Sequence, residues 1–334
     1  MKIRPFLLVL LVLALAIALS IAVGSVFIPP RDLWFVLTGR TPVDVSQAAA
    51  IILTLRLPRT ALVLLTGAAL GTSGAAYQGL FRNPLADPYL VGVASGAGLG
   101  AVLAMSIQWP YTAAGLLAVP AAAFIGALAT VFLVYFLARV GKTLPTTNLI
   151  LAGVAFSFFA SALTSYLMLR STGELRRSIA WLMGGSAQVG WGPVFSILPF
   201  LLPGLAVLLL NGHALNLLQY GDEQAAQMGL PVLRVRTVLL IAASLTTASA
   251  VSFSGIIGFI GLIVPHIMRL AFGADHRRLL PLSLLGGAAL LLLSDVLARV
   301  VMSPEELPVG IVTALAGVPF FLWILRRAKN QGYW

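Results

Sequence analysis

The sequence predicts an all-α integral membrane protein of about ten spanning helices folded as one domain, 1–334. Three observations carry this. The 334 residues are 60% hydrophobic, with a mean hydropathy of +1.01. Only 21 are Lys or Arg and 10 are Asp or Glu, 9% charged in all, where a soluble domain carries about a quarter. Charge-free runs of about 20 residues, the length of a membrane helix, recur along the whole chain. So few charges cannot cover a water-facing surface, which excludes a soluble enzyme. A disordered tail would need the opposite balance. With no cysteine, disulfide frameworks, thiolate metal sites and thiol nucleophiles are excluded together. The formal net charge of +11 is scattered over the loops in Lys/Arg runs no longer than two, without an interleaved aromatic platform. Membrane topology explains it better than nucleic-acid binding.

The elements follow in order. Pro5 to Pro30 is the first charge-free run and Thr60 to Phe81 the second. Lys2 and Arg4 before the first run imitate a signal peptide, but the run exceeds a signal's apolar core and many spans follow, so it reads as a retained helix. Pro88 to Ala138 holds two spans, broken at Gln108-Trp109-Pro110-Tyr111, where proline and interfacial aromatics suit a turn at the lipid surface. Thr143 to Leu169 and Pro193 to Leu210 are the fifth and sixth. Thr237 to Met268 divides near Ser252-Phe253-Ser254-Gly255 into a full helix and a shorter element ending at Pro265-His266. Leu279 to Arg299 and Leu307 to Leu325 complete the set.

An even count puts both termini on one side. With a cytoplasmic N-terminus, thirteen Lys/Arg fall inside, against eight outside: Arg31, Arg40, Arg56, Arg59, Arg170, Arg176, Arg177 and Arg299. The positive-inside rule favours that orientation, and the outer arginines need a reason of their own.

Three motif matches are set aside. Gly96-Ala97-Gly98-Leu99-Gly100-Ala101 fits a loose dinucleotide fingerprint, which functions only after a strand. Inside an apolar span, Gly92, Gly96 and Gly100 form a small-xxx-small packing ladder, as do Gly67 and Gly71. Gly141-Lys142-Thr143 ends like a phosphate loop, but Phe136 stands where its first glycine belongs, so no ATP site is expected on this chain. Gly71-Thr72-Ser73-Gly74 matches the G-x-S-G pattern of rhomboid-type intramembrane proteases, with His266 on another helix. That remote alternative requires Ser73 and His266 within hydrogen-bond reach. The three histidines, His213, His266 and His276, lack a second ligand at i+4 and predict no metal site.

The polar residues point elsewhere. No Asp, Glu, Lys or Arg lies mid-span, which leaves no proton relay or cation-coupling site and assigns the energy source to a partner. Asp295 and Arg299, at i,i+4, can pair on one helix face. Ser157, Ser161, Thr164 and Ser165, with Met168 one turn on, share a face of the fifth helix. That face is either a helix–helix hydrogen-bonding seam or the weakly polar wall of a translocation path. Between the sixth and seventh spans, about 211–233, runs a polar stretch. Asp222 and Glu223 suit a helix N-terminus and Gly229 a C′ stop before Pro231, predicting a helix of about two turns. It would present Ala225, Ala226 and Met228 outside the membrane, a surface suited to a partner's groove.

Longer segments carry a resemblance. Gln78 to Gly92 reads QGLFRNPLADPYLVG, Gly255 to Pro281 reads GIIGFIGLIVPHIMRLAFGADHRRLLP, and Leu307 to Pro319 reads LPVGIVTALAGVP. With Arg56-Leu57-Pro58-Arg59 and Gly221-Asp222-Glu223, the chain resembles the FecCD-type permeases of ABC importers over nearly its whole length. Val91 and Asp222 stand where leucine and glutamate are commoner. The resemblance implies a type II importer permease in a bacterial inner membrane, a homodimer with the path along its interface. Two copies of a separate ABC ATPase would bind the ATP and Mg, and a periplasmic or lipoprotein substrate-binding protein would deliver cargo. The chain itself would catalyse nothing. It further implies that Gly221, Asp222, Glu223, Ala225, Ala226, Met228 and Gly229 form the ATPase-coupling segment, that Thr146 and Thr147 form a cytoplasmic gate, and that Arg56, Arg59 and Arg299 grip the binding protein. Chelated iron, as iron–siderophore or haem, is the expected cargo, with vitamin B12 as the alternative.

Overall fold

The computed structural model describes residues 4–24, 28–39, 46–107, 109–110, 112–141, 143–170, 174–185 and 190–329. Among them the chain is helical, with one isolated bridge between Val140 and Thr143. The helices are α1 (Arg4–Ala22), α2 (Pro30–Leu37), α3 (Ser46–Ala50), α4 (Leu57–Phe81), α5 (Val93–Met105), α6 (Ala113–Ala138), α7 (Thr146–Arg170), α8 (Leu175–Leu182) and α9 (Gly192–Leu210). They continue with α10 (Gly212–Leu218), α11 (Asp222–Gln227), α12 (Val232–Ser254), α13 (Ile260–Phe272), α14 (His276–Val300) and α15 (Val309–Lys329). A π-helical turn, Ile51–Arg56, joins α3 to α4, and a 3₁₀ turn, Pro88–Val91, leads into α5.

Seven helical stretches are long and apolar enough to cross a membrane, and α5, α13 and Val309–Trp323 of α15 are shorter apolar helices. Together they match the ten expected spans among the described residues. The break between α5 and α6 falls at Trp109 and Pro110, as expected; Trp109 Nε1 donates to the Ala104 carbonyl at 2.7 Å, and Thr112 caps α6 by accepting from Gly115 N–H at 3.2 Å. Gln108 and Tyr111, like Lys2, Arg40 and Lys142, lie outside the described residues.

Two expectations need correction. The element expected to end at Pro265-His266 continues through Pro265 to Phe272. Proline removes only the bond to the carbonyl four residues back, which is that of Gly261, and this carbonyl lies against Gly74 of α4. The stretch between α9 and α12 holds two short helices, α10 and α11, rather than one.

Glycine seams set the packing. A Cβ on Gly67 or Gly71 of α4 would run into the backbone of Gly287 or Ser283 of α14, and one on Gly74 into Gly261 of α13. In the same way Gly96 and Gly100 of α5 lie on Gly126 and Ala122 of α6, so the sequence ladder is a packing device, as read. Hydroxyls tie the helices: Ser20 to Thr60 at 2.8 Å, Thr66 to Ser254 at 2.6 Å, and Tyr77 to Ser244 at 2.6 Å. The helices are enclosed to very different degrees. In the apolar windows 72% of α12 and 67% of α14 are buried, against 22% of α7. Thus α4, α12 and α14 form the centre, while α7 turns Phe158, Phe159, Tyr166 and Leu169 outward.

Gly74→Val tests the α4–α13 seam. Its branched side chain has only backbone to displace, so we expect destabilisation beyond the roughly 1–3 kcal/mol typical of overpacking, read as loss of monodisperse protein in detergent. Leu11→Ile, at an exposed position of α1, should leave the elution profile unchanged.

Candidate functional site

At one end of the bundle, α10 and α11 pack across the ends of the long helices, with Leu215, Leu218 and Ala225 buried. Asn216 of α10 anchors them: its Nδ2 donates to Asp275 Oδ1 at 2.6 Å, and its Oδ1 accepts from His276 N–H at 2.8 Å. Asp275 also caps α14 by accepting from Arg277 N–H at 3.0 Å. Hydrogen bonds from Arg277 and Asn216 hold the Asp275 carboxyl well below the usual carboxylate range, against partial desolvation.

The chain enters α11 through Gly221, at φ +102°, and leaves it through Gly229, at φ +87°. Both need the left-handed region that glycine reaches freely. Glu223, Gln224, Ala226, Gln227 and Met228 are exposed, Met228 at 54%. Ala225, expected on the presented face, is fully buried instead and packs with the core. On so short a helix, adjacent residues point to different faces, and the Gly229 stop turns Ala226 and Met228 outward.

Asp222 does more than favour a helix N-terminus. Its Oδ1 lies 2.9 Å from Arg236 Nη2 of α12 and 3.6 Å from Arg82 Nη2 at the end of α4. Arg236, whose side chain is 8% exposed, donates from Nη1 to the carbonyl of Leu144 at 3.3 Å. Leu144 is two residues before Thr146, which is half-buried at the start of α7, and Thr147, which is exposed. Neither arginine was singled out from the sequence. A signal was present: Arg234 and Arg236 lie in the first turns of α12, where the helix dipole disfavours cations and an anion nearby is required.

Along α7, Ser157 and Ser161 line a cavity of about 440 Å³ with Asp87, Tyr89, Leu90, Val154 and Phe158. Ser157 bonds Ser95 at 3.0 Å. Thr164 is buried, with its hydroxyl on the Ala160 carbonyl at 2.7 Å, so it leaves the cavity wall. Ser165 is exposed and Met168 half-buried. Sequence reading of the spans passed over Asp87, because it sits in the loop before the 3₁₀ turn. Its carboxylate accepts from Tyr89 N–H at 2.8 Å. Burial pushes this carboxyl up to about 6, partly opposed by that bond.

At the opposite end lies a network of arginines. Arg56 is 5% exposed and donates to the carbonyls of Ile21 and Ala22, both at 2.8 Å. Arg299, 4% exposed, forms the expected pair with Asp295 at 3.1 Å and reaches the carbonyls of Ser20 and Val23 at 3.2 and 3.0 Å. Of the three arginines expected to grip an outer partner, these two are enclosed in the chain and satisfy the unbonded carbonyls at the end of α1. Arg59 reaches the surface, 34% exposed, bridging Asp295 at 2.9 Å and Glu306 at 2.6 Å.

The protease geometry is not present. Ser73 is fully buried and its hydroxyl donates to the Leu70 carbonyl at 3.3 Å, with no hydrogen bond to His266 among the described residues. Nor do the described residues contain a group of three side chains able to hold a metal.

A bundle of ten apolar helices with a capped helix at one end and a cavity beside an exposed helix defines a multi-pass membrane permease. The comparisons say which. The model of the FecCD transport family matches residues 10–327. The hemin transport system permease protein HmuU of Yersinia pestis is 41% identical over 330 residues, covering 98% of this chain and 96% of that protein. The cobalamin import system permease protein BtuC of Halobacterium salinarum is 47% identical over 281 residues, 84% of this chain and 74% of that one. A solved inward-facing metal-chelate type ABC transporter superposes with a TM-score of 0.82 at 31% identity, covering 97% of this chain and 98% of that chain. The chain belongs to the FecCD transport family. It is the permease of a type II ABC importer, and the ATPase is a separate subunit.

Arg299→Met leaves Asp295 with Arg59 alone and strips the carbonyls at the end of α1. Breaking such a buried pair costs about 3–5 kcal/mol, so the thermal unfolding midpoint in detergent should fall sharply. Glu306→Gln, at a half-exposed pair, should move it little.

Proposed function

We propose that two copies of this chain form a path for a bulky metal chelate, opened and closed by two copies of an ATPase bound at the α10–α11 end. In this reading that end and both termini are cytoplasmic, in a bacterial inner membrane. The segment Gly221 to Gly229 is the ATPase-coupling element, with Glu223, Ala226 and Met228 against the partner and Ala225 against the permease itself. Thr146 and Thr147 gate the path. Ser157, Ser161, Ser165 and Met168 line it, on a helix that a single chain leaves largely open. ATP and Mg stay on the partner ATPase.

The observation that carries this reading is the exposed, doubly glycine-bounded α11, held against the body through Asp222. An isolated helix of six residues has no stability of its own. Exposing apolar Met228 on a helix so fixed suits docking in a groove. On the opposite face, the partly exposed Arg59 and Glu306 offer a charged contact to a substrate-binding protein.

The cargo class follows the relatives' names, which divide between haem and cobalamin. Chelated iron, as haem or iron–siderophore, remains the leading cargo. The cobalamin permease of H. salinarum, at 47% identity, supports vitamin B12 as the second reading. Uptake by proteoliposomes holding permease, ATPase and binding protein decides among haemin, a ferric siderophore and cyanocobalamin. ATP-dependent accumulation of none of the three would sink the chelate reading.

Ala226→Trp and Glu223→Arg should each abolish ATP-driven uptake while the permease still inserts and elutes normally. Uptake at the unsubstituted rate would remove α11 from the coupling role. Glu306→Arg, on the exposed side of the pair, should abolish co-elution with the binding protein without unfolding the permease; retained co-elution would remove the Arg59–Glu306 pair from docking.

A further inference from the structure

We infer that Arg236 is a positioning residue that transmits movement of α11 to the start of α7, through one carboxylate on one side and one carbonyl on the other. The inference rests on the coupling and gate assignments just proposed and names the device that joins them.

The geometry is a chain of short contacts across three elements. Asp222 belongs to the first turn of α11. Its Oδ1 is shared by Arg236, at 2.9 Å, and Arg82, at 3.6 Å. The other arm of the Arg236 fork donates to the Leu144 carbonyl at 3.3 Å, in the short segment between the Val140–Thr143 bridge and Thr146. Arg82 caps α4 in the left-handed region at φ 51°, with its N–H bonded to the Gly79 carbonyl at 3.3 Å. A single carboxylate therefore ties α11 to the ends of α4 and α12, and Arg236 extends the tie to the segment leading into α7.

Burial makes the connection stiff. The Arg236 side chain is nearly enclosed, while Asp222 and Arg82 are about half exposed. An enclosed guanidinium cannot be left without its anion, so displacing Asp222 must draw Arg236 along or strand a charge. Because the guanidinium is planar and rigid, its Leu144 bond moves with its Asp222 contact. Without Asp222 the two arginines would also face each other unscreened. Beside the joint, a void of about 10 Å³, the space of one water, is bounded by Arg236, Leu144 and Thr146 together with residues of α4, α7 and α12. A partner that shifts α11 thus shifts the entry to α7, the least enclosed of the long helices after α1.

The chain has no cysteine, so Thr146→Cys supplies a unique probe without further changes. The experiment uses the assembled permease–ATPase complex in nanodiscs and measures the rate of maleimide labelling at position 146, with and without Mg-ATP and vanadate. In the Thr146→Cys background nucleotide should change that rate by about fivefold or more, the range of a typical coupling between sites. Adding Arg236→Gln or Asp222→Asn should reduce the change to less than about twofold while the ATPase still co-elutes. Arg236→Lys, which keeps the charge beside Asp222 but loses the fork to Leu144, should restore part of the response.

A full response in Arg236→Gln overturns the inference. Loss of ATPase co-elution in both Arg236→Gln and Asp222→Asn also overturns it, since the pair would then be a folding or docking element. No nucleotide response in the Thr146→Cys background itself overturns the gate assignment and the inference with it. That outcome is distinguishable because it precedes any change at Arg236.

Discussion

Lipid gives an apolar helix no reward for exchanging a lipid neighbour for a leucine neighbour. Contact must come from backbones close enough for dispersion and weak polar attraction to add up, and the glycine seams of α4 supply it. Gly67 and Gly71 lie on α14 and Gly74 on α13, leaving no space for even a methyl group. Hydroxyl pairs such as Thr66–Ser254 and Tyr77–Ser244 then fix rotation and register. This makes α4, α12, α13 and α14 a frame. The exposed α7 has few such seams and is held against it less closely.

The few interior charges divide by the same logic into two kinds. At the end opposite α11, Arg56 and Arg299 terminate on main-chain carbonyls of α1, and Arg299 on the enclosed Asp295 as well. Nothing there can exchange partners without exposing several unbonded groups, so the network holds α1, α4 and α14 in place. At the α11 end the anion is half open to water and serves two cations at unequal distance. Such a contact can lengthen on one side while it shortens on the other. A static clamp at one end and a divisible one at the other suit a machine worked from the α11 end.

The spans were legible because a membrane helix needs only length and the absence of charge, and both can be read from one sequence. The break at Trp109-Pro110, the Gly255 division and the Asp295–Arg299 pair were legible for equally local reasons. What was missed depends on three dimensions. The continuation of α13 past Pro265 places the released Gly261 carbonyl against Gly74 of α4, a contact between helices far apart in sequence. The inward turn of Ala225 depends on where α11 sits on the core. Arg56 and Arg299 read as cations available to an outer partner, since nothing in the sequence shows that the end of α1 returns to them. Arg236 and Asp222 are fourteen positions apart, too far for any helical spacing rule to join them.

The character of the path also follows from what a conduit must avoid. The wall of the cavity beside α7 carries hydroxyls and aromatic rings, and Asp87 is the acidic side chain among the residues lining it. A row of charges would bind a metal chelate through its carboxylates or amides and hold it, whereas passage requires contacts strong enough to enter and weak enough to leave. Asp87 is restrained accordingly: one oxygen caps the 3₁₀ turn through Tyr89 N–H, and burial disfavours its charge. A wall so weakly marked distinguishes poorly among large ligands, so in the function proposed above discrimination between haem, siderophore and cobalamin would fall to the protein that delivers them. The relatives' division between haem and cobalamin, at 41% and 47% identity, is what such a division of labour produces.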